Sequence, residues 1–128
     1  MSHVYNYALF TTLIDEWLGE AQDLHALQAL NQALAREREN DQQNFTEVHQ
    51  HAGGSKSFGA FCYMLAGNHI PLHVVAKAIV QVPWRDPESI MLVFSDERYE
   101  GFHALYLDRL QAISEGRSEE LGDVDKVR

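Results

Sequence analysis

Apolar positions along this chain recur mostly at the three-and-four spacing of an amphipathic helix. The clearest stretch is Phe58 to Val82, FGAFCYMLAGNHIPLHVVAKAIVQV. Phe58, Phe61, Cys62, Leu65 and Ala66 share one helical face, and Leu72, Val75, Ala76, Ile79 and Val82 share another. Ser57 is placed to cap the first segment, Gly67-Asn68 to end it in the left-handed region, and Pro71 falls where a first helical turn tolerates proline. The stretch therefore predicts a central helical hairpin of two buried helices. A membrane span is disfavoured, because Gly67, Asn68, His69 and Pro71 interrupt the run and His73 and Lys77 would lie in hydrocarbon.

The same spacing predicts further helices on either side. From Val4 to Ala21, Phe10, Leu13, Ile14, Trp17, Leu18 and Ala21 form a stripe. A second helix is expected over Asp23 to Arg38, where Leu24, Leu27, Leu30 and Leu34 stand among alanines. A third, over about Asp41 to Ala52, carries Phe45, Val48 and Ala52 and ends at Gly53-Gly54. After the rigid Pro83-Trp84-Arg85-Asp86-Pro87 connection, the run Ser89 to Phe94 suits a short buried helix or a strand. Helix is favoured, since no other segment offers an obvious strand to pair with it. Asp96 is then placed to cap a last helix carrying Tyr99, Phe102, His103, Tyr106, Leu110 and Ile113. The expected fold class is thus all-α: a compact bundle of six or seven helices, one domain over residues 1–113, with a polar, mobile tail over 114–128.

Charge narrows the function classes. The 128 residues carry 19 acidic against 10 basic side chains, a formal net charge of −9. That balance disfavours direct nucleic-acid binding and anionic lipid, and favours a basic protein partner. The single cysteine, Cys62, excludes an internal disulfide framework and reads as a small buried hydrophobe, which points to a reducing cytoplasm. The N-terminus lacks the basic region and cleavage site of a secretory signal.

Candidate chemistry is sparse. His49, His51, His69 and His73 are the candidate metal ligands, but Pro71 takes His69 out of the helix of His73, and a two-residue spacing points His49 and His51 to different sides. Gly53-Gly54-Ser55-Lys56-Ser57 has anion-site ingredients if it opens a helix, yet lacks phosphate-loop spacing. His69, His73, Lys77 and Gln81 make a polar stripe that a helix-turn-helix DNA regulator would use; it is thin for base reading. Asp96 with His103 and Glu47 with His49 are the acid/base pairs a small histidine-dependent enzyme would need. No motif implies a cofactor. The leading expectation is a non-enzymatic acidic interaction protein, an inhibitor, immunity protein or antagonist binding a basic nucleic-acid-handling protein. Its contact residues would be Asp15, Glu16, Glu20, Asp96, Glu97 and Glu100, with Trp84 as an aromatic anchor. A homo-oligomer is compatible with the generous apolar faces.

Overall fold

The computed structural model, which describes residues 4–38, 44–48, 53, 59–68, 70–96, 101–116 and 126–127, replaces the expected helical bundle by a mixed α/β fold. Its organising element is a strand, β1 (Val4–Thr12). Tyr5, Tyr7, Leu9 and Thr11 alternate onto a buried face, and the aromatic and β-branched side chains of this segment suit a pleated surface. A 3-10 turn (Leu13–Glu16) and a small hairpin of β2 (Trp17–Leu18) with β3 (Leu24–His25) follow. Gly19 at φ +85° and Gln22 at φ +51° turn the chain between them, closed by the Gln22 N–H donating to the Gly19 carbonyl at 3.1 Å.

The first long helix, α1 (Ala26–Arg38), lies within the expected Asp23 to Arg38 segment and buries Ala26, Ala29, Leu30, Ala33 and Leu34. Where a third helix was expected, the described residues hold a two-residue strand, β4 (Thr46–Glu47). The first half of the expected helical hairpin is also a strand, β5 (Ala60–Asn68), and only the second half is helical, α2 (Leu72–Gln81). Met91 to Asp96 form β6, so the ambiguous apolar run is a strand whose partner is β1. The expected last helix divides into β7 (Phe102–Tyr106) and α3 (Leu107–Ser114). Lys126–Val127, inside the C-terminal segment, pair with β7 as β8.

All neighbours in the main sheet are antiparallel, in the order β4-β5-β1-β6-β7-β8. Because β5 and β6 flank β1 and both oppose it, they run parallel to each other, and α2 is the crossover between them. The helices lie over one face of the sheet, with α2 packed between α1 and α3. Leu72, Val75, Ala76, Ala78 and Ile79 of α2 meet Leu30 and Leu34 of α1, Leu110 and Ile113 of α3, and Tyr7, Leu9, Leu92 and Leu105 of the sheet in one continuous core. Antiparallel sheets commonly bury one face and leave the other to solvent. Among the described residues, the helices cover one face of this sheet and none covers the other.

The correction to fold class has one physical cause. Side chains on both faces of β1, β5 and β6 are apolar, so the polar half of the alternation that marks a half-buried strand is missing. Four to seven apolar residues in a row, as in Tyr7–Phe10, Ile90–Phe94 and Ala60–Ala66, match a helical template almost as well as a strand.

Candidate functional site

Polar groups on the covered face hold the fold together. Asp15, fully buried in the 3-10 turn, accepts backbone hydrogen bonds from Arg85 (2.5 Å to Oδ1) and Asp86 (3.2 Å to Oδ2), tying the end of β1 to the proline-flanked loop. Arg85 returns a guanidinium bond to the Ile14 carbonyl at 3.2 Å. The Tyr7 hydroxyl donates to the Ile70 carbonyl at 2.6 Å, and Trp84 Nε1 donates to the Ile79 carbonyl at 2.8 Å. Tyr63, also fully buried, sits near Glu47 and Glu16. Burial above all, and then those carboxylates, push its hydroxyl above the ordinary tyrosine range, while the Thr11 side chain pulls the other way. Tyr5, Tyr7, Phe94 and His103 run as a row of rings across three strands, the last pair 5.3 Å apart. Each of these groups links one element to the next.

Among the described residues, the other face of the sheet has no helix on it, and its register can be read row by row. One row is Cys62, Phe10, Met91 and Tyr106; the next is Met64, Ala8, Val93 and Ala104; the third begins Ala66, Asn6 and Ser95, with Phe102 beyond. Met64, Phe102 and Tyr106 are 47%, 57% and 53% exposed. Among the described residues of these rows there is no charged side chain, in a chain of net charge −9. The Asn6 amide and the Ser95 hydroxyl supply its polarity and bond to each other at 3.4 Å. Cys62 is buried within the first row, and burial pushes its thiol up from its ordinary value, away from the reactive thiolate. Between Met64 and Phe102 the surface dips into a hollow of about 190 Å³ over Asn6, Ala8, Ala66 and Val93.

At the corner of this face, beside Tyr106, a second cavity of about 340 Å³ opens between the start of α3 and the Pro87 turn. Pro87, Tyr106 and Leu107 give it apolar walls; Glu88, Asp108 and Gln111 give it polar ones. Glu88, Asp108 and Tyr106 are all exposed. An aromatic face with two carboxylates is the complement of an alkylammonium or guanidinium side chain, whose stem is apolar and whose head is cationic.

The residues expected to contact a partner are dispersed. Asp15, Asp96 and Trp84 are buried at 0%, 2% and 9% exposure, so as folded they offer no contact surface, contrary to expectation. The helical reading sets Asp15 on the polar side of one helix and Asp96 at the cap of another; instead Asp15 sits in the 3-10 turn after β1, Asp96 ends β6 on the covered face, and Trp84 is buried in the loop after α2. Glu16 is half-buried and Glu20 exposed, while Glu97 and Glu100 lie outside the described residues. On α2, His73, Lys77 and Gln81 do form an exposed line, with Gln81 accepting from Arg36 at 3.2 Å; His69 lies outside the described residues. Because the element before α2 is a strand, this line does not belong to a helix-turn-helix. His49 and His51 are likewise outside the described residues, and among those described no group of three metal-ligating side chains occurs. Residues 54–57 of the candidate anion loop are outside them too, and the next element among the described residues is the strand β5. The open-face residues were missed; the signal available was the two-sided apolar character of YALF and MLVF.

No described helix is long and apolar enough to cross a membrane. Comparison of the chain with protein-family models, curated proteins and solved structures found no match.

Proposed function

We propose that this is a non-enzymatic interaction protein of the reducing cytoplasm, an inhibitor, immunity protein or antagonist that holds a basic, nucleic-acid-handling protein. The observation that carries this reading is the cavity lined by Tyr106, Leu107, Pro87, Glu88 and Asp108. It fits one lysine or arginine side chain of such a partner: the stem packs on the Tyr106 ring and Leu107, and the head pairs with the carboxylates. The net charge of −9 supports the same partner chemistry, because it steers a basic surface toward the protein and raises the encounter rate at low salt. The single cysteine, which allows no disulfide within the chain, supports the compartment.

The test is capture from an extract of the native host. The immobilised protein is expected to retain one basic protein that elutes as salt rises through about 0.1 to 0.5 M, where exposed charges are screened. The double variant Glu88→Gln, Asp108→Asn is expected to weaken that complex by about tenfold, or roughly 1.4 kcal/mol. Retention that ignores both salt and the double variant would sink the proposal.

A further inference from the structure

We propose that the open face of the sheet packs against the same face of a second copy of this chain, in a two-fold symmetric dimer. Charge is the first argument. A two-fold interface sets each surface patch against itself, so a charged face places like against like. Two chains of net charge −9 repel, and they can meet closely only where charge is absent. Among the described residues, the rows running through Met64, Ala8 and Val93 are such a surface. A basic partner, by contrast, needs carboxylates, and those stand at the corner cavity rather than on this face.

Shape is the second argument. Met64 and Phe102 project from the face at 47% and 57% exposure, on either side of the hollow of about 190 Å³ over Ala8, Ala66 and Val93. Knob and hollow on one surface are what a self-complementary contact needs: the knobs of each copy enter the hollow of the other. The unbranched methionine adapts readily to such a fit.

Area is the third. Strands β5, β1, β6 and β7, at about 4.8 Å spacing and about 3.3 Å per residue, make a face roughly 20 Å wide and 20 to 25 Å long. Its projection is therefore about 400 to 500 Å², and the relief of the side chains adds to it. Two copies together remove on the order of 1,000 Å² from water, the lower bound for a specific interface. The same estimate puts the apolar patch near the limit that monomers leave exposed. Facing sheets would stack about 10 Å apart, as in a β-sandwich.

Sedimentation of the purified chain, with no other protein present, tests this directly. The wild type is expected at twice the chain mass at concentrations of about 100 μM, dissociating on dilution. Met64→Lys and Phe102→Lys, both at exposed positions, are each expected to weaken the dimer at least tenfold while the circular dichroism of the fold is retained. Glu88→Gln with Asp108→Asn is expected to leave the dimer intact, which separates this interface from the partner cavity. If either lysine variant does not fold, the wild type still decides. Its Met64 methyl resonance is expected to be shielded from a soluble paramagnet at high concentration and open to it on dilution. A monomer at every concentration with an open Met64 methyl would overturn the proposal and leave the face to a different protein. A dimer that survives both lysine variants would overturn it too, by placing the interface elsewhere.

Discussion

Replacing Asp15 by alanine is the sharpest test of how this fold is held. Its carboxylate is fully buried and receives the backbone N–H groups of Arg85 and Asp86, seventy residues away along the chain. Hydrogen bonds to a charged group contribute about 1.5 to 3 kcal/mol each, and a buried donor left without an acceptor costs a similar amount. Arg85 is exposed and Asp86 half-buried, so water can reach part of the vacated site and the loss falls toward the lower end. Asp15→Ala is expected to cost about 3 kcal/mol, a large fraction of the 5 to 15 kcal/mol typical of a domain. Asp15→Asn keeps one acceptor oxygen and should cost about half as much. Urea unfolding followed by tryptophan fluorescence measures both: the midpoint should fall by about 1.5 M for alanine, with the slope unchanged. An alanine variant within about 0.5 kcal/mol of wild type would refute the account, and would return Asp15 to the surface role that the sequence suggested.

Three further outcomes follow from named contacts. Tyr7→Phe removes the donor to the Ile70 carbonyl and is expected to cost about 1 to 2 kcal/mol by the same urea assay, with faster amide exchange at the start of α2. At Gly67 a Cβ would lie 2.8 Å from Ile70 Cδ1 and 3.0 Å from its Cβ, so Gly67→Ala should destabilise by about 1 to 3 kcal/mol, and Ile70→Val should relieve part of that loss. Tyr63 has a folded pKa above the 10.0 of the unfolded chain, so the unfolded hydroxyl ionises first as pH rises. The stability it contributes is whole below about pH 10 and is lost as pH rises through the folded value. Tyr63→Phe is expected to flatten the alkaline limb of a stability–pH profile, and an unchanged limb would refute the assignment.

The helices were legible where propensity and period agreed. In α1, leucines at three- and four-residue spacing among alanines specify one structure by two routes, and in α2 Pro71 marks the start. The strands were hidden because their second face is apolar. Ala8 fills the gap between Tyr7 and Leu9 and Phe10 the one between Leu9 and Thr11, as Met64 does between Tyr63 and Leu65. A helical β1 leaves Met91 to Asp96 with no strand to pair with, so the two assignments stand or fall together. Likewise Asp15 and Asp96 look like solvated acids in sequence, since nothing local announces that a loop seventy residues on, or a covered sheet face, will bury them. The feature that obscured the fold is also the one that marks the candidate interface. A strand with two apolar faces reads as helix until it is asked what covers the second.

The position of β1 also governs the order in which the molecule can form. Tyr5 pairs with Gly67 on one side and with Asp96 on the other, so neither neighbour of the central strand exists while the first sixty residues are being made. During synthesis at about 5 to 20 residues per second, that strand waits for seconds with both edges open. Among the described elements, the 3-10 turn, α1 and the small β2–β3 hairpin are local enough to form in that interval. Completion then depends on closing loops of some sixty and ninety residues, and a ribosome paused before β5 holds an apolar, strand-forming segment with neither of its neighbours made.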